Sequence, residues 1–263
     1  MQARSALFDL YGDYIRPRGG AAPVAAVVRL LAPLGIAAPA VRTAVSRMVR
    51  QGWLQPVKLP EGPGYQLTLK ATRRLDEAAA RIYRTGRLGW DGTFDVIVLE
   101  PPRERNERGR LFATLSFLGY GALNNGTWLA PRTASDIDVL LIEAGIRYER
   151  FTAEHSSGIG GANAMVRRAW DLDELGEAYT EFIASQRPLV KLGPDADDET
   201  AYAARFHLVH AWRTFLFRDP QLPSALLTER WPGAAAAAFF DRHASRLRPA
   251  ADRYVDTCFQ ETS

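Results

Sequence analysis

The sequence predicts an α+β protein made of three successive parts. They are an N-terminal winged helix-turn-helix over residues 1–84, a ferredoxin-like middle domain over residues 90–168 and a helical C-terminal domain over residues 169–263. Three observations predict this. A short basic amphipathic helix follows two helical stretches and precedes two extended segments around a Pro/Gly turn. Residues 93–153 run in the order β-α-β-β-α-β. From about Trp170 the apolar spacing is helical almost to the end.

The first helix is expected over residues 5–14, with Leu7, Leu10, Tyr11 and Tyr14 on one side, and Pro17-Arg18-Gly19-Gly20 breaks it. A second, over residues 24–31, carries Val24, Val27, Val28 and Leu31 at helical spacing and stops near Pro33. The third, over residues 39–51, is the basic one. Val41, Ala44, Val45, Met48 and Val49 form its apolar stripe, while Arg42, Thr43, Ser46, Arg47 and Arg50 share the opposite side. Pro39 suits the first helical turn and Gly52 the left-handed conformation that closes the last. Guanidinium forks with hydroxyls between them are the groups that reach phosphates and base edges in a major groove. A solvated surface helix is the plain alternative.

Residues 53–59 and 65–69 then read as a hairpin, a wing whose Lys58 or backbone amides would meet phosphate. A helix over residues 70–83 leads out, with Gly86 and Gly89 in the linker. In the middle part, residues 93–99, 119–123, 127–130 and 147–153 are expected strands, and residues 103–118 and 134–145 expected helices. The Asn124-Asn125-Gly126 turn joins the second and third strands. Beyond it, Leu172, Leu175, Tyr179, Phe182 and Ile183 mark a helix. The acidic stretch 195–199 introduces another running through Phe217, and Trp231-Pro232-Gly233 precedes the final alanine-rich helices.

Composition narrows the function. A hydrophobic share of 47% supports a packed globular chain rather than a disordered one. The net charge of +3 is unevenly placed. Residues 1–84 hold 13 Lys+Arg against 5 Asp+Glu, leaving 20 against 25 for residues 85–263, so the balance is +8 then −5. That asymmetry suggests a polyanion-binding module joined to something else. Cys258 stands alone, which excludes an intrachain disulfide and a cysteine-rich zinc site. No signal-type or membrane-spanning apolar run is present, so the expected location is cytoplasmic.

Several runs then resemble the PaaX family of transcriptional repressors. At the N-terminus they are Gly12-Asp13-Tyr14, Pro17-Arg18-Gly19-Gly20, Val41-Arg42-Thr43-Ala44-Val45-Ser46-Arg47 and Gly52-Trp53. Trp90-Asp91-Gly92, Gly119-Tyr120-Gly121, Gly126-Thr127-Trp128 and Pro131 follow. Later come Ala169-Trp170-Asp171-Leu172, the stretch from Trp212-Arg213 through Arg218-Asp219-Pro220-Gln221-Leu222-Pro223, and Trp231-Pro232-Gly233. One departure is Phe94, where the family pattern has tryptophan. The resemblance implies the three domains named above, the middle one similar to CRISPR-associated ferredoxin-like nucleases. It also implies a homodimeric repressor of aromatic-acid catabolism that phenylacetyl-CoA, or another aryl-CoA, releases from operator DNA. No cofactor is expected.

For DNA, Arg42, Thr43, Ser46 and Arg47 are expected at the groove, with Arg18, Arg50 and Lys58 on phosphate. A CoA thioester needs cations for its phosphates and an apolar pocket for its acyl group. Arg205, His207, His210, Trp212, Arg213 and Arg218 supply both types, although Phe206, Val209, Arg213 and Phe217 could equally pack a helix. The His207 and His210 spacing suits two metal ligands but lacks a third, so no metal site is expected. Two other function classes stay open. A metal-dependent nuclease could place Asp95 or Glu100 on the first strand of the middle domain. Alternatively, the N-terminal domain contacts protein rather than DNA.

Overall fold

The computed structural model describes residues 1–83, 89–134, 136–156, 161–192 and 196–260, apart from the side chain at position 81. The linker residue Gly86 and the start of the acidic stretch at Asp195 lie outside the described residues. The chain divides into two compact units. One comprises Met1–Gly86, Phe182–Arg213 and Ala236–Ser263, and the other Arg87–Glu181 and Thr214–Ala235. The C-terminal segment expected as a helical domain thus contributes helices to both.

In the first unit, α1 (Ala3–Leu10) widens into a π turn (Tyr11–Ile15) and tightens into a 3-10 turn (Arg16–Arg18). The stretch is therefore longer than expected from Pro17. α2 (Val24–Leu31) and α3 (Ala38–Arg50) follow, the latter with proline in its first turn. Gly52, at φ +71, takes the left-handed conformation after it. β2 (Leu54–Leu59) and β3 (Gly62–Leu67) form the wing in antiparallel register, Leu54 opposite Leu67 and Leu59 opposite Gly62. A third strand, β1 (Ala21–Pro23), was not expected. It pairs with β3, giving the order β1-β3-β2. Three residues, Ala-Ala-Pro, show no alternation to read. The backbones approach closely there, since a Cβ on Gly64 would lie 2.6 Å from the Ala22 carbonyl oxygen. α4 (Leu69–Ile82) closes the domain.

The core of this unit joins distant segments. Leu7, Leu10, Tyr14, Leu30, Val41, Val45, Met48 and Leu54 pack with Tyr202 and Phe206 of α9 (Asp198–Arg213). Ala251, Val255 and Cys258 of the last helix, α10 (Pro232–Gln260), join them. Each fully buried large aliphatic or aromatic side chain stabilises by roughly 1.5–3 kcal/mol. That shared core holds the winged helix on α9 and α10. α10 is one 29-residue helix rather than several, with Pro249 inside it. The hydrogen bond that Pro249 cannot make is offset by buried Leu247, Ala251 and Val255 on either side.

The second unit is ferredoxin-like. β4 (Thr93–Leu99), α5 (Arg105–Phe117), β5 (Gly121–Asn124), β6 (Thr127–Ala130), α6 (Ile137–Glu143) and β7 (Tyr148–Glu154) give an antiparallel sheet in the order β5-β6-β4-β7. Ile97 and Leu99 pack under Leu115 of α5 and Ile137 and Leu141 of α6. On the other face, Phe94 and Leu129 meet Val166 of α7 (Gly161–Ala169), a helix absent from the expectation, and Leu172 of α8 (Leu172–Val190). Phe94 is buried edge-on to Trp90, with ring centroids 5.3 Å apart, so phenylalanine fills this position.

Candidate nucleic-acid interface

The face of α3 opposite its core stripe is a row of free polar groups. Val41, Ala44, Val45 and Met48 are buried, whereas Arg42, Thr43, Ser46, Arg47 and Arg50 are exposed. Among the described residues, none of the three guanidiniums has a carboxylate partner, so each keeps its full set of donors. Thr43 differs, because its Oγ1 donates to the Pro39 carbonyl at 3.0 Å. Its methyl and its oxygen lone pairs remain available. Lys58 is exposed on β2 next to the turn of the wing, opposite Pro63 of β3. Trp53, at the foot of the wing, stands edge-on to Phe8 of α1 at 4.9 Å and carries the Lys70 ammonium over its ring at 5.6 Å. These contacts fix the wing to the helices.

Arg18 does not join this face. Its guanidinium binds Asp256 at 2.9 Å and Asp252 at 3.2 Å on α10 and donates to the Tyr14 carbonyl at 3.1 Å. The expected phosphate contact is therefore corrected to an internal tie. Burial pushes the Asp252 carboxyl up, but Arg248, which also binds it, and Arg18 together hold it below its ordinary range.

Most of the residues expected to hold an effector are engaged by the protein's own groups. Arg205 is 2% exposed. Its Nε donates to the Ala244 carbonyl at 3.1 Å, and one guanidinium nitrogen pairs with Asp13 and reaches the Tyr14 hydroxyl at 2.8 Å. Asp13 also accepts from the Tyr83 hydroxyl at 2.5 Å. Burial, assisted by Asp13, pushes the Tyr83 phenol up. Burial likewise keeps the His210 imidazole below its usual range, so at neutral pH the ring is neutral and its Nδ1–H donates to Asp9 at 2.5 Å. Arg213 pairs with the same Asp9. The Trp212 indole donates to the Ile82 carbonyl at 3.1 Å and stacks on Phe240. His207 is half-buried and held low by burial and then by His210. Arg218 belongs to the other unit, where it binds Glu174 at 2.7 Å. In this structure the side chains of Arg205, His210, Trp212, Arg213 and Arg218 are thus engaged by the protein's own groups.

The residues that sequence reasoning missed are the carboxylates, Asp9 and Asp13. Both fall among the apolar positions of the first helix, four apart and on its buried side. An acid placed at a core position requires a buried cation, and that signal was present.

In the second unit, Asp95 is 6% exposed and accepts from the Tyr120 hydroxyl and from Arg150 Nε at 2.8 Å. Its oxygens are engaged, and Arg150 bridges on to Asp138 at 2.5 Å. Glu100 is exposed beyond the end of β4. No group of three metal-ligating side chains occurs among the described residues. Nor is any helix among them long and apolar enough to cross a membrane.

Three family models match successive stretches of the chain. They are the PaaX-like protein model over residues 2–71, the PaaX protein central Cas2-like domain over residues 87–164 and the PaaX-like protein C-terminal domain over residues 170–257. The transcriptional repressor PaaX of Escherichia coli (strain K12) is 32% identical over 260 residues, a match spanning 95% of this chain and 82% of that protein. Among solved structures, the uncharacterized protein Rv0674 from Mycobacterium tuberculosis superposes with a TM-score of 0.65 at 22% identity, covering 98% of both chains. That likeness is one of fold.

Proposed function

Because the chain belongs to the PaaX family, we propose that it is a DNA-binding transcriptional repressor of aromatic-acid (phenylacetate-type) catabolic genes and not an enzyme. The observation that carries the reading is the exposed face of α3, where Arg42, Arg47 and Arg50 lie outside the core without carboxylate partners among the described residues. In the proposed complex α3 enters the major groove. Arg47 presents a bidentate fork to a guanine, Arg42 and Ser46 flank it, and the Thr43 methyl contacts a thymine methyl, since its hydroxyl proton is held by Pro39. Arg50 and Lys58 take phosphates on either side. Two such faces in a homodimer would read an inverted repeat. An aryl-CoA thioester, phenylacetyl-CoA foremost, would release the repressor. A DNA-binding repressor of this kind works in the cytoplasm.

Footprinting and a salt titration test the reading. Arg47→Ala should cost about 1–3 kcal/mol at one operator position and flatten the preference there. Lys58→Ala and Arg50→Ala should weaken binding to all sequences and lower the salt slope by about one each. Affinity independent of salt would instead favour a protein partner. The nuclease alternative fails if Glu100→Ala leaves behaviour with nucleic acid and magnesium unchanged.

A further inference from the structure

Within the first unit, α8 and α10 carry a set of basic and buried polar side chains that none of the roles above uses. Phe182 of α8 packs edge-on against Phe239 of α10, with ring centroids 6.0 Å apart. Further along both helices the Arg246 guanidinium donates to the Val190 carbonyl. The two helices therefore run side by side in the same direction, and Gln186 and His243 each lie between these two contacts along their helix. Phe239, Arg242, His243 and Arg246 share one side of α10 at 3.6 residues per turn, while Asp241 falls on the other side.

Gln186 is 8% exposed, and its Oε1 is buried without a hydrogen-bond partner. The buried Nδ1 of His243, whose ring lies 4.5 Å from that of Phe239, has none either. Two buried polar atoms without partners on adjacent helices are costly. Such a cost persists where a ligand answers it. The surroundings set the sign of that ligand. Arg187 and Arg242 are exposed and have no carboxylate partner among the described residues. Burial first, then the positive charges of Arg246, Arg242 and Arg187, hold the His243 imidazole below its usual range. Turning the Gln186 amide presents its NH2 inward, and the Nδ1–H tautomer of His243 adds a second donor. Donors at the base and guanidiniums at the rim complement clustered phosphate oxygens.

We propose that Gln186, His243, Arg187, Arg242 and Arg246 form a binding site for the phosphate groups of a small phosphorylated ligand. For the identity of that ligand the assignment rests on the effector reading above, in which the diphosphate of a CoA thioester would occupy this place. The test is calorimetric titration of the full chain with inorganic pyrophosphate and with coenzyme A, on the natural sequence and on Arg187→Glu, Arg242→Glu and Gln186→Leu. The two charge reversals should weaken pyrophosphate and coenzyme A about tenfold or more, with thermal unfolding unchanged. Gln186→Leu should raise the unfolding temperature yet weaken binding, an opposition that a packing role alone does not produce. Equal binding by all four proteins, or none by the natural chain, overturns the site. If the reversals leave pyrophosphate unbound to any form but lower operator affinity and its salt slope, the phosphates belong to DNA and the small-ligand proposal is wrong. If pyrophosphate binding behaves as expected while phenylacetyl-CoA fails to release DNA, the site stands and the effector reading falls.

Discussion

Replacing Asp13 by alanine strands the buried Arg205 guanidinium in the core that joins the winged helix to α9 and α10. Asp13 accepts from Arg205, from the Tyr83 hydroxyl at 2.5 Å and from Arg248 at 3.5 Å, and its side chain is only 8% exposed. Without the carboxylate, Arg205 retains neutral acceptors, the Tyr14 hydroxyl and the Ala244 carbonyl, but loses its counter-charge. Breaking a buried pair from one side costs about 3–5 kcal/mol. At about 2–4 °C per kcal/mol for a chain of this size, the unfolding temperature falls by on the order of 10 °C. The double variant Asp13→Asn with Arg205→Met removes both charges and should lose clearly less than the sum of the single changes. Urea titration followed by circular dichroism measures both. An Asp13→Ala protein within about 1 kcal/mol of the natural one would refute the claim that this pair holds the unit together.

Three further outcomes follow from the same structure. Arg18→Ala should cost about 0.5–1 kcal/mol of stability through its partly exposed aspartate partners while leaving the salt slope of DNA binding unchanged; a slope reduced by about one would return Arg18 to phosphate. Gly64→Ala should destabilise by about 1–3 kcal/mol, because the new Cβ meets the Ala22 carbonyl oxygen at 2.6 Å, and a melting curve unchanged by that substitution would contradict the β1-β3 pairing. His207 and His210 are both held below the ordinary imidazole value, mainly by burial. The unfolded chain therefore binds more protons than the folded one below about pH 6.5, and stability declines from there down through the folded values. The urea midpoint should be lower at pH 5.5 than at pH 7.5, with the difference reduced in His207→Gln; a flat profile would mean that burial does not depress these rings.

The parts of this protein that depend on local periodicity could be read from the sequence. The stripe Val41, Ala44, Val45 and Met48 determined which face of α3 is buried, and its complement determined that Arg42, Arg47 and Arg50 are exposed. The β-rich composition of residues 93–99 and the Asn-Asn-Gly turn marked the strands and the β5-β6 hairpin of the middle sheet, whereas the pairing of β4 with β6 and β7 is a matter of topology. Nearest-neighbour spacing carries no information about partners almost 200 residues away. Arg18 and Arg205 are indistinguishable in sequence from the arginines of α3, and only the tertiary structure places Asp256 and Asp252 beside the one and Asp13 beside the other. The function of a guanidinium depends on whether a carboxylate has already claimed it. Helix geometry decides which way an arginine faces, but the packing of α9 and α10 on the winged helix decides whether it meets solvent or an acid. That packing arises from a core whose members lie at opposite ends of the chain.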